Sequence, residues 1–257
     1  VDRFPVLISG TDKAATFYRK VLGETFAYVQ FRIPEISDEL YQIDEAMKAG
    51  FGWEHGPFEL WDAVGLTAGI ELIKEAGQPV ASWIEALATS GANGFYQLVE
   101  NRKHFYHISE KKFIPIPGQD AFIILDNVRE NKTIWQNKEC SVIDIGDGIL
   151  NIEFHSKMNT IGAGVLQGIN KGIDLAEQGY EGVVVGNNGA HFSAGANLGM
   201  IFMMAVEQEY DELNMAIKYF QDTMMRMRYS SVPTVAAPYG LTLGGGCELT
   251  MHADKVV

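Results

Sequence analysis

The sequence of 257 residues contains little cysteine and no long apolar run. Its two cysteines, Cys140 and Cys247, are far apart and form no C-x-x-C pair, which argues against a disulfide framework and favours a reducing compartment. No apolar stretch is long enough to span a bilayer, and the first residues lack the pattern of a signal peptide. We therefore expect a cytoplasmic protein that is not inserted in a membrane.

Basic charge is also scarce. The chain has 20 Lys and Arg residues against 33 Asp and Glu residues, a net charge of −13. This balance opposes binding to nucleic acid or to an anionic membrane. A metal centre is not expected either, because His104 and His107 have no Cys, Asp or Glu at ligand spacing.

The chain lacks an initiator methionine and ends at Val257 within a run that predicts a strand, so we interpret it as a piece of a longer polypeptide. Its length and its 47% hydrophobic content allow two domains with good cores. We predict a helical domain over residues 1–95, an extended connector over 96–140 and an α/β domain over 141–257.

Helical periodicity dominates the first predicted domain. Apolar residues recur at helical spacing from Thr11, and a second helix is predicted between an N-cap at Asp38 and a C-terminal glycine at Gly50. By residue types alone this domain is a packing or oligomerisation module, because it contains no nucleophile–base pair. In the connector, short strands are predicted within residues 95–108, and the polar stretch 127–139 is predicted to be a linker.

Strands and helices alternate in the last predicted domain, which indicates a layered α/β fold. Asp147-Gly148 predicts a hairpin between its first two strands. The segment around Ser193 is one position short of a serine-hydrolase motif, but no His and Asp follow in the required order, so we reject that function.

Two turns rich in small residues carry the strongest signal for chemistry. Gly244 to Gly246 lead into a helix that carries Glu248 in its first turn, and Ala194 to Ala196 follow another predicted strand. Small residues let the backbone approach a ligand, and two N–H groups beside a carboxylate can hold an oxyanion and move a proton. The alternative is a tight turn in which Glu248 only complements the helix dipole.

The first domain resembles the C-terminal helical domain of 3-hydroxyacyl-CoA dehydrogenases over about residues 9–95. The residues that carry the resemblance are Asp44, Gly50, Gly52, Gly56-Pro57-Phe58 and Asp62. The family's NAD chemistry needs a preceding Rossmann domain with a G-x-G-x-x-G fingerprint, which this chain lacks. The resemblance therefore implies NAD only through a domain that is absent from this chain.

The segments F-S-A-G-A-N-L and G-L-T-L-G-G-G-C-E-L resemble the enoyl-CoA hydratase (crotonase) superfamily over about residues 142–257. This resemblance implies a crotonase-like ββα spiral, truncated at its C-terminus. The order of the two domains resembles that of fused 3-hydroxyacyl-CoA dehydrogenase/enoyl-CoA hydratase proteins of bacterial fatty-acid β-oxidation.

The crotonase resemblance also implies roles for particular residues. Ala196 and Gly245 match the N–H donors for the thioester carbonyl of the acyl-CoA substrate, and Glu248 matches one of two catalytic glutamates. Ala194, with Gly195 beside it, matches the backbone that meets the adenine of coenzyme A. The nearest cation for the coenzyme A phosphates is Lys157, although an exposed lysine in a turn is more often only solvated.

Two departures from the family bear on activity. Asn197 stands where many relatives have Asp, and the second catalytic glutamate belongs to a stretch beyond Val257. We therefore expect hydration of 2-enoyl-CoA, followed by NAD-dependent oxidation, in the parent protein and weak or no activity in this fragment. The alternatives are an enoyl-CoA isomerase or other crotonase chemistry, and a non-catalytic docking or oligomerisation fragment. The expected partners are a second copy of the chain and a thiolase.

Overall fold

The computed structural model describes residues 3–119 and 121–257. The chain divides into two compact units, 1–122 and 123–257. The sequence predicts a domain boundary near residue 140, whereas the compact units divide between residues 122 and 123. None of the helices in the described ranges combines the length and the apolarity that crossing a membrane requires.

The first unit consists of helices followed by a small antiparallel sheet. The helix predicted from Thr11 is confirmed, and Asp12 caps it by accepting the N–H of Ala15 at 2.8 Å. The elements are α1 (Arg3–Ser9), α2 (Lys13–Val29), α3 (Leu40–Phe51), α4 (Pro57–Val64), α5 (Leu66–Glu75), α6 (Ser82–Thr89), β1 (Tyr96–Val99), β2 (Arg102–His107) and β3 (Lys112–Pro115).

The caps predicted for α3 are wrong by one or two residues. Glu39 precedes the helix in place of Asp38, and Gly50 lies inside it. Gly52 ends the helix because it is the residue with a left-handed backbone, at φ 66°, and its N–H donates to the Lys48 carbonyl at 3.1 Å.

The predicted strands within residues 95–108 are confirmed, and they share the core of the helices. Phe105 and Tyr106 of β2 are buried in the same cluster as Phe26 and Trp61, whose rings stack at 4.8 Å between centroids. Strand β2 pairs with both β1 and β3. The segment 96–115 is therefore part of the first compact unit.

Two carboxyl groups, those of the buried Asp44 and the half-buried Asp62, tie this sheet to the helices. Asp44 of α3 accepts the backbone N–H groups of Phe58 and Glu59, at 2.8 and 3.0 Å, and the hydroxyl of Tyr96 at 2.6 Å. Asp62 of α4 accepts two backbone N–H groups at the start of β1, at 2.7 and 3.0 Å. The two backbone bonds to Asp44 satisfy donors in the first turn of α4 that the helix itself leaves unpaired.

Glu59 is a third carboxyl group in this region, and it is held by cations. Its carboxylate lies 2.6 Å from the ammonium of Lys103 and 3.1 Å from that of Lys48, and it accepts the N–H of Gly56 at 3.0 Å. Burial by itself would raise the pKa of Glu59, but these partners together lower it to about 2. The ionised form of Glu59 is therefore more stable in the folded protein than in the unfolded chain.

We predict that Glu59→Gln destabilises the first unit in a pH-dependent way. Because the folded pKa is below the ordinary value of 4.5, the stabilisation is complete above that pH and is lost as the pH falls towards 2. The difference in unfolding free energy between wild type and variant should approach about 3 kcal/mol at pH 7 and shrink at pH 3. Urea unfolding followed by tryptophan fluorescence measures it.

The control is Glu45→Gln, because Glu45 pairs with the same Lys48 at 2.7 Å but is exposed. This variant should change the unfolding free energy by less than about 1 kcal/mol at either pH. If Glu59→Gln lowers the unfolding free energy equally at pH 3 and pH 7, the stabilisation does not come from the ionised Glu59 carboxylate.

The second unit is a layered α/β structure, as predicted. Strands β4 to β9 form one sheet in sequence order, antiparallel from β4 to β6 and parallel from β6 to β9. Asp147 and Gly148 form the predicted hairpin turn, with φ of 52° and 73°. The elements are α7 (Leu125–Lys132), β4 (Thr133–Gln136), β5 (Cys140–Gly146), β6 (Ile149–Phe154), α8 (Ala163–Ala176), β7 (Gly182–Val185), α9 (Leu198–Val206), α10 (Tyr210–Arg228), β8 (Thr234–Ala236), α11 (Gly245–His252) and β9 (Lys255–Val256).

The linker predicted over residues 127–139 is wrong, because this stretch contains most of α7 and all of β4. The Arg129 side chain of α7 donates two hydrogen bonds, at 3.0 and 2.6 Å, to Glu153 of β6. The Glu153 side chain is only 1% exposed, so its charge needs this partner. Sequence polarity could not reveal the pairing, because the partners are far apart in the chain.

Candidate functional site

The two predicted turns lie side by side at one edge of the sheet. They follow β7 and β8, which are adjacent and parallel, so both leave the sheet at its carboxyl edge. Ser193 donates its N–H to the Leu241 carbonyl at 3.2 Å, and Leu243 donates its N–H to the Ser193 carbonyl at 3.0 Å. Backbone hydrogen bonds therefore hold the two segments together.

Small residues are required where the segments meet. Gly195 has φ of 87°, and a Cβ atom there would lie 2.6 Å from the Leu243 carbonyl oxygen and 3.1 Å from the Gly245 nitrogen. A Cβ atom on Gly246 would lie 2.8 Å from that of Ser193. Side chains at these positions would push the segments apart.

The close approach brings two free donors together. The nitrogen of Ala196 lies 3.6 Å from the position that a Cβ atom on Gly245 would occupy. Within residues 3–119 and 121–257, no acceptor takes the N–H of Ala196 or of Gly245. Gly245 is the first residue of α11, so its N–H is one of the donors that a helix leaves unpaired, at the positive end of the dipole.

The residues that carry these donors line a cavity of about 770 Å³ in the second unit. Ala196, Gly245 and Glu248 all lie on its wall, so the three residues predicted as catalytic meet at one place. Most of the remaining wall is apolar. The apolar side chains come from Ile161, Leu166, Met200, Ile201, Leu213, Ala216, Ile217, Phe220, Met224 and Met225.

The structure adds His252 to this site, which the sequence reasoning missed. Its Nδ1 lies 2.7 Å from the carbonyl oxygen of Glu248, so a protonated Nδ1 donates there and the other ring nitrogen is left for the cavity. Its position four residues after Glu248 on α11 was the signal that could have identified it, since residues at this spacing share a helix face.

The residues predicted to meet coenzyme A lie beside the cavity wall. Ala194 donates its N–H to the Met158 carbonyl at 3.1 Å, and Gly195 accepts the N–H of Ile161 at 2.8 Å. Met158 belongs to a single 3₁₀ turn, Lys157–Asn159. Lys157 is exposed, does not line the cavity and forms no ion pair within the described ranges.

Ser193 is buried, and its hydroxyl is hydrogen-bonded to neighbouring backbone groups. Its hydroxyl is buried and donates to the Asn159 carbonyl at 2.6 Å, and it accepts the N–H of Gly195 at 3.0 Å. These bonds fix the turn that presents Ala196. Ser193 is thus a structural residue in this site, in agreement with the rejection of a serine hydrolase.

Residues 144–257 match the enoyl-CoA hydratase/isomerase family, and residues 21–101 match the C-terminal domain of the 3-hydroxyacyl-CoA dehydrogenase family. The chain thus contains one region similar to each of these two families. The predicted fold class is thereby confirmed: a helical N-terminal region is followed by a crotonase-fold region. Both family descriptions name enzymes of acyl-CoA compounds.

Relatives with both regions cover nearly all of this chain. A Bacillus subtilis protein named as a 3-hydroxyacyl-CoA dehydrogenase is 39% identical over 99% of this chain and 32% of its own length. A Rickettsia prowazekii protein named as a fatty acid oxidation complex trifunctional enzyme is 26% identical over 98% of this chain and 32% of its own. The chain thus spans about a third of the length of these curated relatives.

Among solved structures, an enoyl-CoA hydratase/isomerase from Xanthobacter autotrophicus is 27% identical, with a TM-score of 0.41. The likeness covers 48% of this chain and 46% of that one.

A 3-hydroxyacyl-CoA dehydrogenase uses NAD, but neither of the glycine pairs Gly50/Gly52 and Gly162/Gly164 fits the pyrophosphate of that cofactor. Gly50 and Gly52 lie at the end of α3, where the helix dipole is negative. Gly162 and Gly164 do begin α8, but the Glu139 carboxylate already accepts the N–H of Gly164 at 3.0 Å. A carboxylate at that position would repel a pyrophosphate.

We predict that Gly195→Ala destabilises the second unit by at least about 2 kcal/mol, because it combines a left-handed backbone with a clash against Leu243. The control is Gly199→Ala in α9, where the nearest atom to a new Cβ is 3.4 Å away. That change should be neutral or stabilising by up to about 1 kcal/mol. Urea unfolding, monitored by circular dichroism, distinguishes the two variants. Equal effects would contradict the argument that the backbone at Gly195 leaves no room for a side chain.

Proposed function

We propose that the crotonase-fold region binds an acyl-CoA thioester and that the longer protein hydrates 2-enoyl-CoA to 3-hydroxyacyl-CoA. The observation that carries this proposal is the pair of unengaged N–H groups, of Ala196 and Gly245, on the same cavity wall as Glu248. Two donors and a carboxylate are the groups needed to polarise a carbonyl and to move a proton.

In the proposed reaction the thioester oxygen accepts hydrogen bonds from both N–H groups. This draws electrons from the C2=C3 bond and makes C3 electrophilic. The water oxygen bonds to C3 while its proton passes to the Glu248 carboxylate, and the π electrons move to the thioester as an enolate. The donors and the positive end of α11 stabilise that enolate. The proton held by Glu248 then passes to C2, which restores the carbonyl and returns Glu248 to its carboxylate form.

We assign the coenzyme A portion to the segment 194–195 and the neighbouring 3₁₀ turn. The hydrogen bond from Ala194 to Met158 supports this assignment, because it holds the turn that contains Lys157 against the backbone of residue 194. Since the chain carries a net charge of −13, a nearby ammonium has added value for a ligand with several phosphates.

The wider context of the longer protein is also proposed. There, NAD-dependent oxidation would follow hydration, because the product of hydration carries the hydroxyl that a 3-hydroxyacyl-CoA dehydrogenase oxidises. A homo-oligomer, a thiolase partner and a cytoplasmic location remain predictions from the sequence.

We predict that Glu248→Gln lowers hydration of crotonyl-CoA by the full-length protein by about 10²–10⁴-fold, because the amide cannot accept the water proton. The control is Glu181→Gln, which changes an exposed glutamate that precedes β7 and does not line the cavity. Equal rates for wild type and Glu248→Gln would remove Glu248 from the mechanism. Conversion of a 3-enoyl-CoA without any hydration would favour an isomerase.

For the present chain, we predict binding of crotonyl-CoA in calorimetry and a loss of about two- to fivefold in affinity for Lys157→Ala, since an exposed charge pair contributes up to about 1 kcal/mol. The loss should shrink as salt is added. Lys132→Ala, which removes an exposed lysine from α7, is the control. Equal effects of the two variants would exclude a role for Lys157 in phosphate binding.

A further inference from the structure

Along α10 the cavity wall is apolar towards the start of the helix, whereas Gln221 and Asp222 make it polar just beyond Phe220. The ring of Phe220 lies 2.9 Å from the position of a Cβ atom on Gly245, so Phe220 marks the part of α10 next to the donors. Towards the start of α10, the wall continues through Tyr219, Ile217, Ala216 and Leu213, none of which is charged. A ligand held at the donors therefore meets a hydrocarbon surface if it extends towards the start of this helix.

The length of that surface follows from helix geometry. Leu213 precedes Phe220 by seven residues, which corresponds to about 10 Å along an α-helix. An extended chain of single bonds advances about 1.2 Å per bond, because the three backbone bonds of a residue span about 3.6 Å. The surface between the two residues thus matches about eight bonds of a straight hydrocarbon chain.

The wall also leaves apolar surface open to solvent. Ile217 is 46% exposed and Met225 is 45% exposed, although both line the cavity. Helix α9 contributes Met200 and Ile201 to the same wall. Accessible apolar side chains around a concavity are typical of a site for an apolar ligand, and methionines adapt to ligands of different shape.

We propose that this groove binds a straight acyl chain of about eight carbons or more, and that Ala216 sets the room available to it. The inference rests on the proposed function, in which the thioester lies at Ala196 and Gly245. Ala216 is the small residue on the wall between Leu213 and Ile217, so a larger side chain there would fill the groove and leave the thioester end open.

The test measures the affinity of this chain for butyryl-, octanoyl- and dodecanoyl-CoA by calorimetry, below their micelle concentrations. Affinity should rise by about fourfold for each methylene that is buried and should level off when the groove is full. The variant Ala216→Phe should keep its affinity for butyryl-CoA within about twofold and lose at least about tenfold for dodecanoyl-CoA, because it excludes several methylenes.

The matched control is Met215→Phe, because Met215 is the neighbouring residue on α10, is exposed and does not line the cavity. It should change neither affinity. If Ala216→Phe fails to fold, Ile217→Ser on the half-exposed wall carries the test, and it should also weaken dodecanoyl-CoA binding selectively.

The outcomes separate this inference from the function on which it rests. If butyryl-CoA binds and longer chains bind no more tightly, the groove does not bind the acyl chain, and the proposed function is unaffected. An equal loss for short and long chains in the variants also overturns the groove. A chain that binds no acyl-CoA overturns the proposed function and the groove together.

Discussion

The candidate site depends on the close approach of two backbone segments. Gly195 lies against the Leu243 carbonyl and the nitrogen of Gly245, at distances that leave no room for a side chain. Adjacent parallel strands deliver both segments to the same edge of the sheet, and glycine allows them to touch. As a result Ala196 and Gly245 line one cavity, to which both segments contribute.

The distribution of polarity in the second unit suits a ligand with two different ends. The donors, Glu248 and His252 gather at one part of the cavity, while most of the remaining wall is apolar. On a chain with a net charge of −13, a lysine that met the phosphates of a ligand would contribute more than it would on a basic surface. A thioester with a hydrocarbon tail and a phosphorylated carrier has matching features.

Sequence patterns predicted those elements whose own residues define them. The helix from Thr11 and the Asp147-Gly148 hairpin were found correctly, because capping, periodicity and left-handed turn residues are local properties. The predicted linker at 127–139 was wrong, since the buried Glu153 that binds Arg129 lies on another element. Helix α9 has only apolar residues and glycine, so it shows no periodicity that could predict it.

The sequence by itself determined where the small residues and the carboxylate stand: two turns after strands, with Glu248 at the start of a helix. These are the features that a run of neighbouring residues can encode. Only the tertiary structure decided that Ala196 and Gly245 share a cavity, and that His252, Phe220 and Ala216 lie on its wall. Contacts between residues so far apart in the chain depend on how the helices pack against the sheet. That packing cannot be predicted from the local patterns of a single sequence.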